Sequence, residues 1–310
     1  MAALAMTLSA ALALGLALAI HLSLIPTPVD YGAGIFDFAL RSALIYGLIP
    51  LLATSLAVAI FRPQAGSVPG QLPDYSFFFA APVTGLLSGW LVWTGLTLLI
   101  SFFPQVSSWI QIPRLWQWGA FYLGRSPLTT VTVLLAAVIL PAGPHELLFR
   151  GVMAPAYARA ESGTLKLVPL VFLAALSSLD PAGSLVFFAA SFMAFRVRLA
   201  SGSLLASSLY TAGFSLSMLL ARPLYSGLSR LIFGIPLIDS FKNRLFLVAV
   251  FMILLVLLLA PMSIINTAAS RQRGFPAAGE KKKDPLFRPV NRVLAWVLSA
   301  VLAAFLFFIA

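Results

Sequence analysis

Residues 129–151 read TTVTVLLAAVILPAGPHELLFRG. The part up to Leu140 carries no charge, and His145, Glu146 and Arg150 follow within a few positions. An ionisable side chain at membrane depth costs about 2.5–3.5 kcal/mol on insertion scales, so such residues are rare and mark functional positions. Glu146 and Arg150 are spaced so that a helix puts both on one face, where they can pair. The stretch therefore predicts an apolar helix that carries an ionisable cluster into a membrane-spanning bundle.

The helix that carries this cluster contains two prolines, Pro141 and Pro144. Each lacks an N–H, and each ring clashes with the carbonyl four residues back. We therefore expect a bent, locally opened helix at this point. His145 is turned by about 100° from Glu146 on a regular helix, so these neighbours are predicted to face different directions.

The composition is that of a membrane protein. Hydrophobic residues make up 61% of the chain and charged residues 9%, against roughly 45–50% and about 25% in soluble domains. Many apolar segments approach the ~20 residues needed to cross a bilayer. They lie at about 3–24, 38–61, 76–103, 127–149, 167–179, 184–195, 204–220, 245–265 and 294–310. Segments 167–179 and 184–195 are short and can also form one broken helix. We predict an all-α, polytopic transmembrane helix bundle with eight or nine spans.

The net charge of +11 does not indicate nucleic-acid binding, because the basic residues flank apolar runs or lie in the loop 266–292. Such a distribution is typical of membrane topology signals and of contact with anionic lipids. We expect this loop in the cytoplasm. Nine spans then put the N-terminus inside, and eight put it outside. The chain contains no cysteine, which excludes disulfides and thiolate metal sites.

Three further features bear on the bundle. Pro104 to Ser126 mixes polar and aromatic residues, with Trp109, Trp116 and Trp118, and is predicted to lie at the membrane interface. Arg41 is close enough to the start of its segment to snorkel. The pair Gly85-x-x-x-Gly89 favours close helix approach.

The chain divides into three regions. Residues 1–126 hold the N-terminal transmembrane helices and the interfacial segment. Residues 127–221 form a core that contains the ionisable cluster. Residues 222–310 hold the C-terminal transmembrane helices and the basic cytoplasmic loop.

The ionisable cluster is open to several interpretations. Peptide hydrolysis needs a base for water and donors for the oxyanion; Glu146 or His145 can supply the base, and Asp180 can orient His145. Nearby candidate nucleophiles are Ser177, Ser178 and Thr211. A metal site would need His145, Glu146 and Asp180 to converge, although the first two point apart. The alternative without chemistry is a structural Glu146–Arg150 ion pair. We expect no metal or other cofactor.

The stretch His145-Glu-Leu-Leu-Phe-Arg-Gly resembles the first motif of the CPBP family, which comprises the type II CAAX prenyl endopeptidases and the bacteriocin-processing and self-immunity proteins. That motif is Glu-Glu-x-x-x-Arg, commonly continued as Glu-Glu-Leu-x-Phe-Arg-Gly. Glu146 and Arg150 match its second glutamate and its arginine. Ser201-Gly-Ser-Leu-Leu-Ala206 looks like the family's Thr-Gly-Ser-Leu-x-Ala stretch. The resemblance covers roughly residues 127–221, and makes this region a CPBP-like core.

The resemblance implies an eroded catalytic set. In active members the first glutamate activates water together with a histidine on the next helix, while a second histidine and an asparagine support the oxyanion. Here His145 replaces the first glutamate. Pro181 and Leu185 stand where the second motif has phenylalanine and histidine, and Thr211 and Ser215 stand where the last motif has histidine and asparagine.

Our leading hypothesis is therefore a catalytically inactive relative of these intramembrane proteases. It would act as a binding or scaffold subunit for membrane partners or lipid-like ligands. One alternative is an active intramembrane endopeptidase that uses Glu146 and His145, and another is a transporter or membrane-complex subunit. The candidate catalytic residues are Glu146, His145, Arg150 and Asp180. Expected partners are membrane lipids and an integral membrane protein, with no nucleic acid, and the resemblance implies a bacterial cytoplasmic (inner) membrane.

Overall fold

The computed structural model of the chain describes residues 2–21, 30–61, 75–154, 168–233, 241–271, 296–297, 300–301 and 303. All regular secondary structure in these ranges is helical, which confirms the predicted all-α class. The α-helices are α1 (Ala2–His21), α2 (Ile35–Ser42), α3 (Ile49–Phe61), α4 (Tyr75–Phe102), α5 (Arg114–Tyr122), α6 (Pro127–Leu134), α7 (Val168–Leu176), α8 (Ser184–Ser201), α9 (Leu204–Phe233) and α10 (Phe241–Arg271). The predicted ninth segment lies mostly outside the described residues, and the basic loop does so from residue 272 onward.

Six helices in the described ranges are long and apolar enough to cross a membrane, judged by length and composition. They are Ile35–Ala59, Tyr75–Phe102, Pro127–Met153, Ser184–Ser201, Leu204–Leu228 and Arg244–Ile265, and a shorter apolar helix covers Thr7–Ile20. The predicted number of eight or nine spans is not confirmed. In the described part of the predicted segment 167–179, the chain forms the helix α7, and the residues before Val168 lie outside the described ranges.

The helix that begins with α6 is widened where the sequence predicts an opening. Ser126 and Thr129 form a capping box at its start, with Pro127 in the first turn. After α6 the chain continues in π-helical turns over Leu135–Ile139, Pro141–His145 and Leu147–Met153. A π-turn pairs each carbonyl with an N–H five residues on, so the helix passes both prolines by winding more widely.

The Gly85/Gly89 pair lies at the interface between α4 and α9. A Cβ atom at Gly85 would overlap the backbone of Tyr210, and one at Gly89 would overlap the Ser217 hydroxyl and the Phe214 carbonyl. Close helix approach is thus the reason for both glycines, as the spacing predicts. This small-residue face is occupied by α9 of the same chain, so it does not offer a docking surface for another protein.

The segment predicted to lie at the interface is partly inside the bundle. Trp109 is exposed, as an interfacial tryptophan should be. Trp116 on α5, in contrast, is buried, and its indole N–H donates to the carbonyl of Ala137 over 3.3 Å. The prediction of an interfacial segment therefore does not describe Trp116, whose side chain packs inside the bundle. An apolar-aromatic segment has the same composition in a protein core as at a bilayer surface, so composition did not distinguish the two.

Candidate functional site

Glu146 and Arg150 form a buried ion pair. The Nη1 atom of Arg150 lies 2.7 Å from Oε1 of Glu146, and each side chain is only 1% exposed. The predicted pairing of these two residues is therefore present, although the helix between them is wound as π-turns. An ion pair removed from water needs further hydrogen bonds to offset the loss of hydration.

Two neighbouring helices supply part of these bonds. The Thr211 hydroxyl on α9 donates to the same Glu146 Oε1 over 2.6 Å. Arg150 Nη2 donates to the carbonyl oxygen of Ser191 on α8 over 3.1 Å, and the guanidinium lies 4.6 Å from the centre of the Phe195 ring. The pair thus fastens its own helix to both α8 and α9. The second carboxylate oxygen of Glu146, Oε2, is buried and has no hydrogen-bond partner in the described part of the chain.

A second arginine joins this cluster. Arg198, on the last turn of α8, is fully buried. Its Nε donates to the backbone carbonyl of Arg150 over 3.4 Å, and its Nη1 donates to the carbonyl of Gly202. Gly202 ends α8 in the left-handed conformation, with a φ of 65°. A cation is favoured at carbonyls near helix C-termini, so Arg198 ties the end of α8 to the helix of the ion pair.

Sequence reasoning missed Arg198 and Thr211 as members of the cluster. From the sequence, Arg198 is only one of the basic residues that flank apolar runs. Thr211 was noted as a candidate nucleophile rather than as a hydrogen-bond donor to Glu146. The available signal for Arg198 is its position three residues before the Ser201-Gly202-Ser203 turn, because a basic side chain in the last turn of a helix can bond to the final carbonyls.

His145 lies on a different side of the helix from the ion pair, as its angle from Glu146 predicts. Its Nε2 is 3.3 Å from the Ser177 hydroxyl oxygen. Its ring packs against Phe149 at 4.6 Å and, edge-on, against Tyr46 at 5.7 Å between centres. His145 and Glu146 therefore contact two different sets of side chains.

Asp180 is a backbone-capping residue in the turn between α7 and α8. Its Oδ2 accepts from the N–H of Arg114 over 2.7 Å, at the start of α5, and its Oδ1 accepts from the N–H of Gly183 over 3.2 Å. Within the described ranges, no hydrogen bond joins Asp180 to His145. The carboxylate holds two segments together, and the triad-like arrangement with His145 is not formed.

The three candidate metal ligands are not brought together either. Among the residues that the structure describes, no group of three or more His, Asp or Glu side chains is arranged to hold a metal ion. His21 is the other histidine of the chain. It ends α1, and its side chain lies outside the described part.

Together, the fold and the cluster define an all-helical protein with apolar helices of membrane-spanning length and a buried ion pair between them. No protein-family model, no curated protein and no solved structure matches the chain.

Proposed function

We propose that this chain is a non-proteolytic relative of the CPBP intramembrane endopeptidases, in which the Glu146–Arg150 pair holds the bundle together. The observation that carries the proposal is the double occupation of Glu146 Oε1 by Arg150 and Thr211. A general base must reach the proton it removes and must be able to take it up. Oε1 is engaged by two protein donors and the Glu146 side chain is only 1% exposed, which is the arrangement of a packing contact inside the bundle.

The residues around His145 support the same proposal. The resemblance assigns the water-activating position to His145, and its Nε2 faces Ser177 rather than Glu146. The positions that match the two family histidines are Leu185 and Thr211. Leu185 is 53% exposed on α8, and the Thr211 hydroxyl donates a hydrogen bond to Glu146. This arrangement offers no pair of bases acting on one water.

We infer that the function is to bind a membrane partner or a lipid-like ligand in a bacterial cytoplasmic membrane. The span Arg244–Ile265 supports this proposal, because it has a mean hydropathy of 3.1 and only 17% of its apolar stretch is buried against the rest of the protein. A helix that is apolar on all sides faces lipid or another membrane helix. Membrane lipids and an integral membrane protein are the partner classes that fit such a surface.

A cleavage assay tests the proposal. Purified wild type and Glu146→Gln are incubated with transmembrane and prenylated peptides, and Asp30→Asn, at an exposed position, serves as the control. We expect no cleavage by any of the three. Cleavage by wild type that is lost in a folded Glu146→Gln variant would overturn the proposal.

Ligand binding is measured on the same samples. A ligand that binds only the folded state stabilises it by about 2.7 kcal/mol at one hundred times its Kd. We expect a rise in melting temperature with phospholipid or prenylated peptide, and the same rise in the Asp30→Asn control. No rise with either class of ligand would contradict the lipid-binding part of the proposal.

One observation favours the alternative of an active intramembrane hydrolase. His145 Nε2 lies within 3.3 Å of a serine hydroxyl, that of Ser177, and a histidine beside a serine is the core of one hydrolytic arrangement. However, the Ser177 hydroxyl donates to the carbonyl of Ala174 over 2.8 Å, which is typical of a structural serine. Labelling of Ser177 by a fluorophosphonate, with Ser177→Ala as the control, would favour this alternative.

A further inference from the structure

Two arginines at the same end of the bundle each lie against an exposed aromatic ring. The guanidinium of Arg244, in the first turn of α10, is 5.5 Å from the centre of the Phe102 ring at the end of α4. The guanidinium of Arg125, just before α6, is 3.8 Å from the centre of the Phe121 ring. Residues 103–126, all within the described part of the chain, join α4 to α6 and contain no helix of membrane-spanning length. Both arginine–phenylalanine pairs therefore lie at one end of the bundle.

Arg125 presents its terminal amino groups to the surroundings. Its Nε donates to the carbonyl of Phe121 over 3.1 Å, so the carbonyl and the ring together hold the guanidinium plane. Arg125 is exposed. Asp30 and Asp37 act electrostatically on the neighbouring Tyr122, as Arg125 does, but neither forms an ion pair with Arg125 in the described ranges. The outer edge of this guanidinium can therefore bind an anion from outside the chain.

Arg244 carries a positive charge at the same level. Its Nε is buried and forms no hydrogen bond with another described residue, and within the described ranges no carboxylate pairs with it. Phe102, Phe103 and Trp109 are exposed around this end of α4. Exposed aromatic side chains at the end of a span are typical of the headgroup level of a bilayer. Arg244 is thus placed where lipid phosphates lie.

An apolar stripe of exposed side chains leads away from each arginine along the adjacent helix. On α6 and the π-turns after it, the exposed residues between positions 128 and 139 are Leu128, Val131, Leu135 and Ile139. On α10, the same spacing is occupied by the exposed residues Leu245, Val248, Met252 and Val256. Residues three and four apart are neighbours on a helix surface, so each set forms one continuous stripe. α10 is exposed on its other faces too, whereas the α6 stripe is bordered by less exposed residues.

The length and composition of the stripes fit a lipid acyl chain. The rise from Leu245 to Val256 is about 16 Å at ~1.5 Å per residue, and one leaflet of a ~30 Å hydrocarbon layer has a similar depth. Membrane helices that pack closely against each other favour Gly, Ala, Ser and Thr at the contact. Both stripes consist of Leu, Ile, Val and Met instead. A phospholipid therefore suits these surfaces better than a second protein helix.

We propose that each arginine–phenylalanine pair, together with its apolar stripe, is a binding site for an acidic phospholipid. The guanidinium binds the lipid phosphate, because its planar fork of N–H groups matches two phosphate oxygens. The phenylalanine ring holds the guanidinium plane, and one acyl chain lies along the stripe. Acidic lipids are favoured over zwitterionic ones, because their net negative charge compensates an arginine that has no carboxylate partner in the described part of the chain. The inference rests on the lipid binding proposed above, and it names the lipid class and the residues that select it.

Native mass spectrometry of the full chain in detergent tests the proposal by counting the retained lipids. Phosphatidylglycerol and phosphatidylcholine with identical acyl chains are added to separate samples at equal concentration. We expect wild type to retain two phosphatidylglycerol molecules, under conditions where the retention of phosphatidylcholine is at least fivefold lower. Arg125→Gln and Arg244→Gln should each lose one of the two molecules, and Arg125→Gln/Arg244→Gln should lose both.

The matched control for the double variant is Arg222→Gln/Arg230→Gln. Both arginines are exposed in the second half of α9, and among the described residues no aromatic ring lies against either guanidinium. The control removes the same amount of charge and should keep both phosphatidylglycerol molecules. An equal loss in the control would overturn the proposal, because net charge rather than the two pairs would then attract the lipid.

The two lipids also separate this inference from the proposed function. Equal retention of phosphatidylglycerol and phosphatidylcholine by wild type and all variants would overturn the two acidic-lipid sites and leave lipid binding itself in place. Retention of neither lipid would contradict both.

The variant Phe102→Leu/Phe121→Leu tests the rings while both charges are kept. Both phenylalanines are exposed, so the variant should fold, and its melting temperature without added lipid verifies this. We expect the retention of phosphatidylglycerol to fall at least threefold, because the guanidinium planes are no longer held. Unchanged retention would contradict the arginine–phenylalanine pair as the phosphate-binding unit.

Discussion

The hydroxyl of Thr211 donates to Oε1 of Glu146 over 2.6 Å, across the interface between α9 and the helix of the ion pair. Arg150 donates to the same oxygen over 2.7 Å. One carboxylate oxygen therefore joins two helices and neutralises a buried cation. Thr211 stands where the resemblance assigns a catalytic histidine. In this structure the residue at that position joins two helices through its hydrogen bond to Glu146.

Replacement of Thr211 tests this role. Thr211→Val keeps the shape and removes the donor, so it should lower the free energy of unfolding by about 1.5–3 kcal/mol, the range for a hydrogen bond to a charged group. Thr211→Ser keeps the hydroxyl and should retain most of the stability. The measurement is melting in detergent.

The matched control for Thr211 is Thr132→Val. Thr132 is partly exposed, and its hydroxyl donates to the carbonyl of Leu128 in its own helix. Equal melting temperatures for Thr211→Val and Thr132→Val would show that the Thr211–Glu146 bond contributes little.

The glycines of α4 test the packing against α9. Gly85→Ala or Gly89→Ala would place a methyl group into the backbone or side chains of α9, so each should destabilise the bundle by about 1–3 kcal/mol through overpacking. Gly227→Ala is the control, because a Cβ there meets no atom within 4 Å. Alanine is the better helix former, so Gly227→Ala should leave the melting temperature unchanged or raise it. A Gly85→Ala variant as stable as Gly227→Ala would refute the close approach.

Asp180 can be assigned to packing or to chemistry by comparing two substitutions. Asp180→Ala removes the acceptor for the N–H groups of Arg114 and Gly183, and should cost about 0.5–2 kcal/mol, as for other lost caps. Asp180→Asn keeps one carbonyl oxygen as an acceptor and should cost less. Differential scanning fluorimetry of both, with Asp30→Ala as the exposed control, gives the ranking. If Asp180→Ala and Asp30→Ala have the same melting temperature, the hydrogen bonds of Asp180 do not stabilise the protein.

The sequence predicted those features that depend on local spacing. The Glu146–Arg150 pair follows from four-residue spacing, the widened helix from Pro141 and Pro144, and the close helix contact from Gly85 and Gly89. Each of these requires knowledge of one helix only.

Features that join distant segments were not predictable in this way. Asp180 bonds to Arg114, and Arg198 bonds to the carbonyl of Arg150, and neither pair has a spacing rule. The burial of Trp116 also depends on which helix α5 packs against, and the composition of the α5 segment does not contain that information.

A double-mutant cycle on Glu146 and Arg150 tests the central claim that this pair is structural. Glu146→Gln leaves Arg150 as an unpaired buried cation, which costs about 3–5 kcal/mol in comparable cases, whereas replacement of both partners by neutral residues is often nearly neutral. We predict that Glu146→Gln melts well below wild type and that Glu146→Gln/Arg150→Met recovers much of the loss. Two results would contradict a structural role for the pair: a Glu146→Gln variant with the same melting temperature as wild type, or a double variant that is less stable than either single variant.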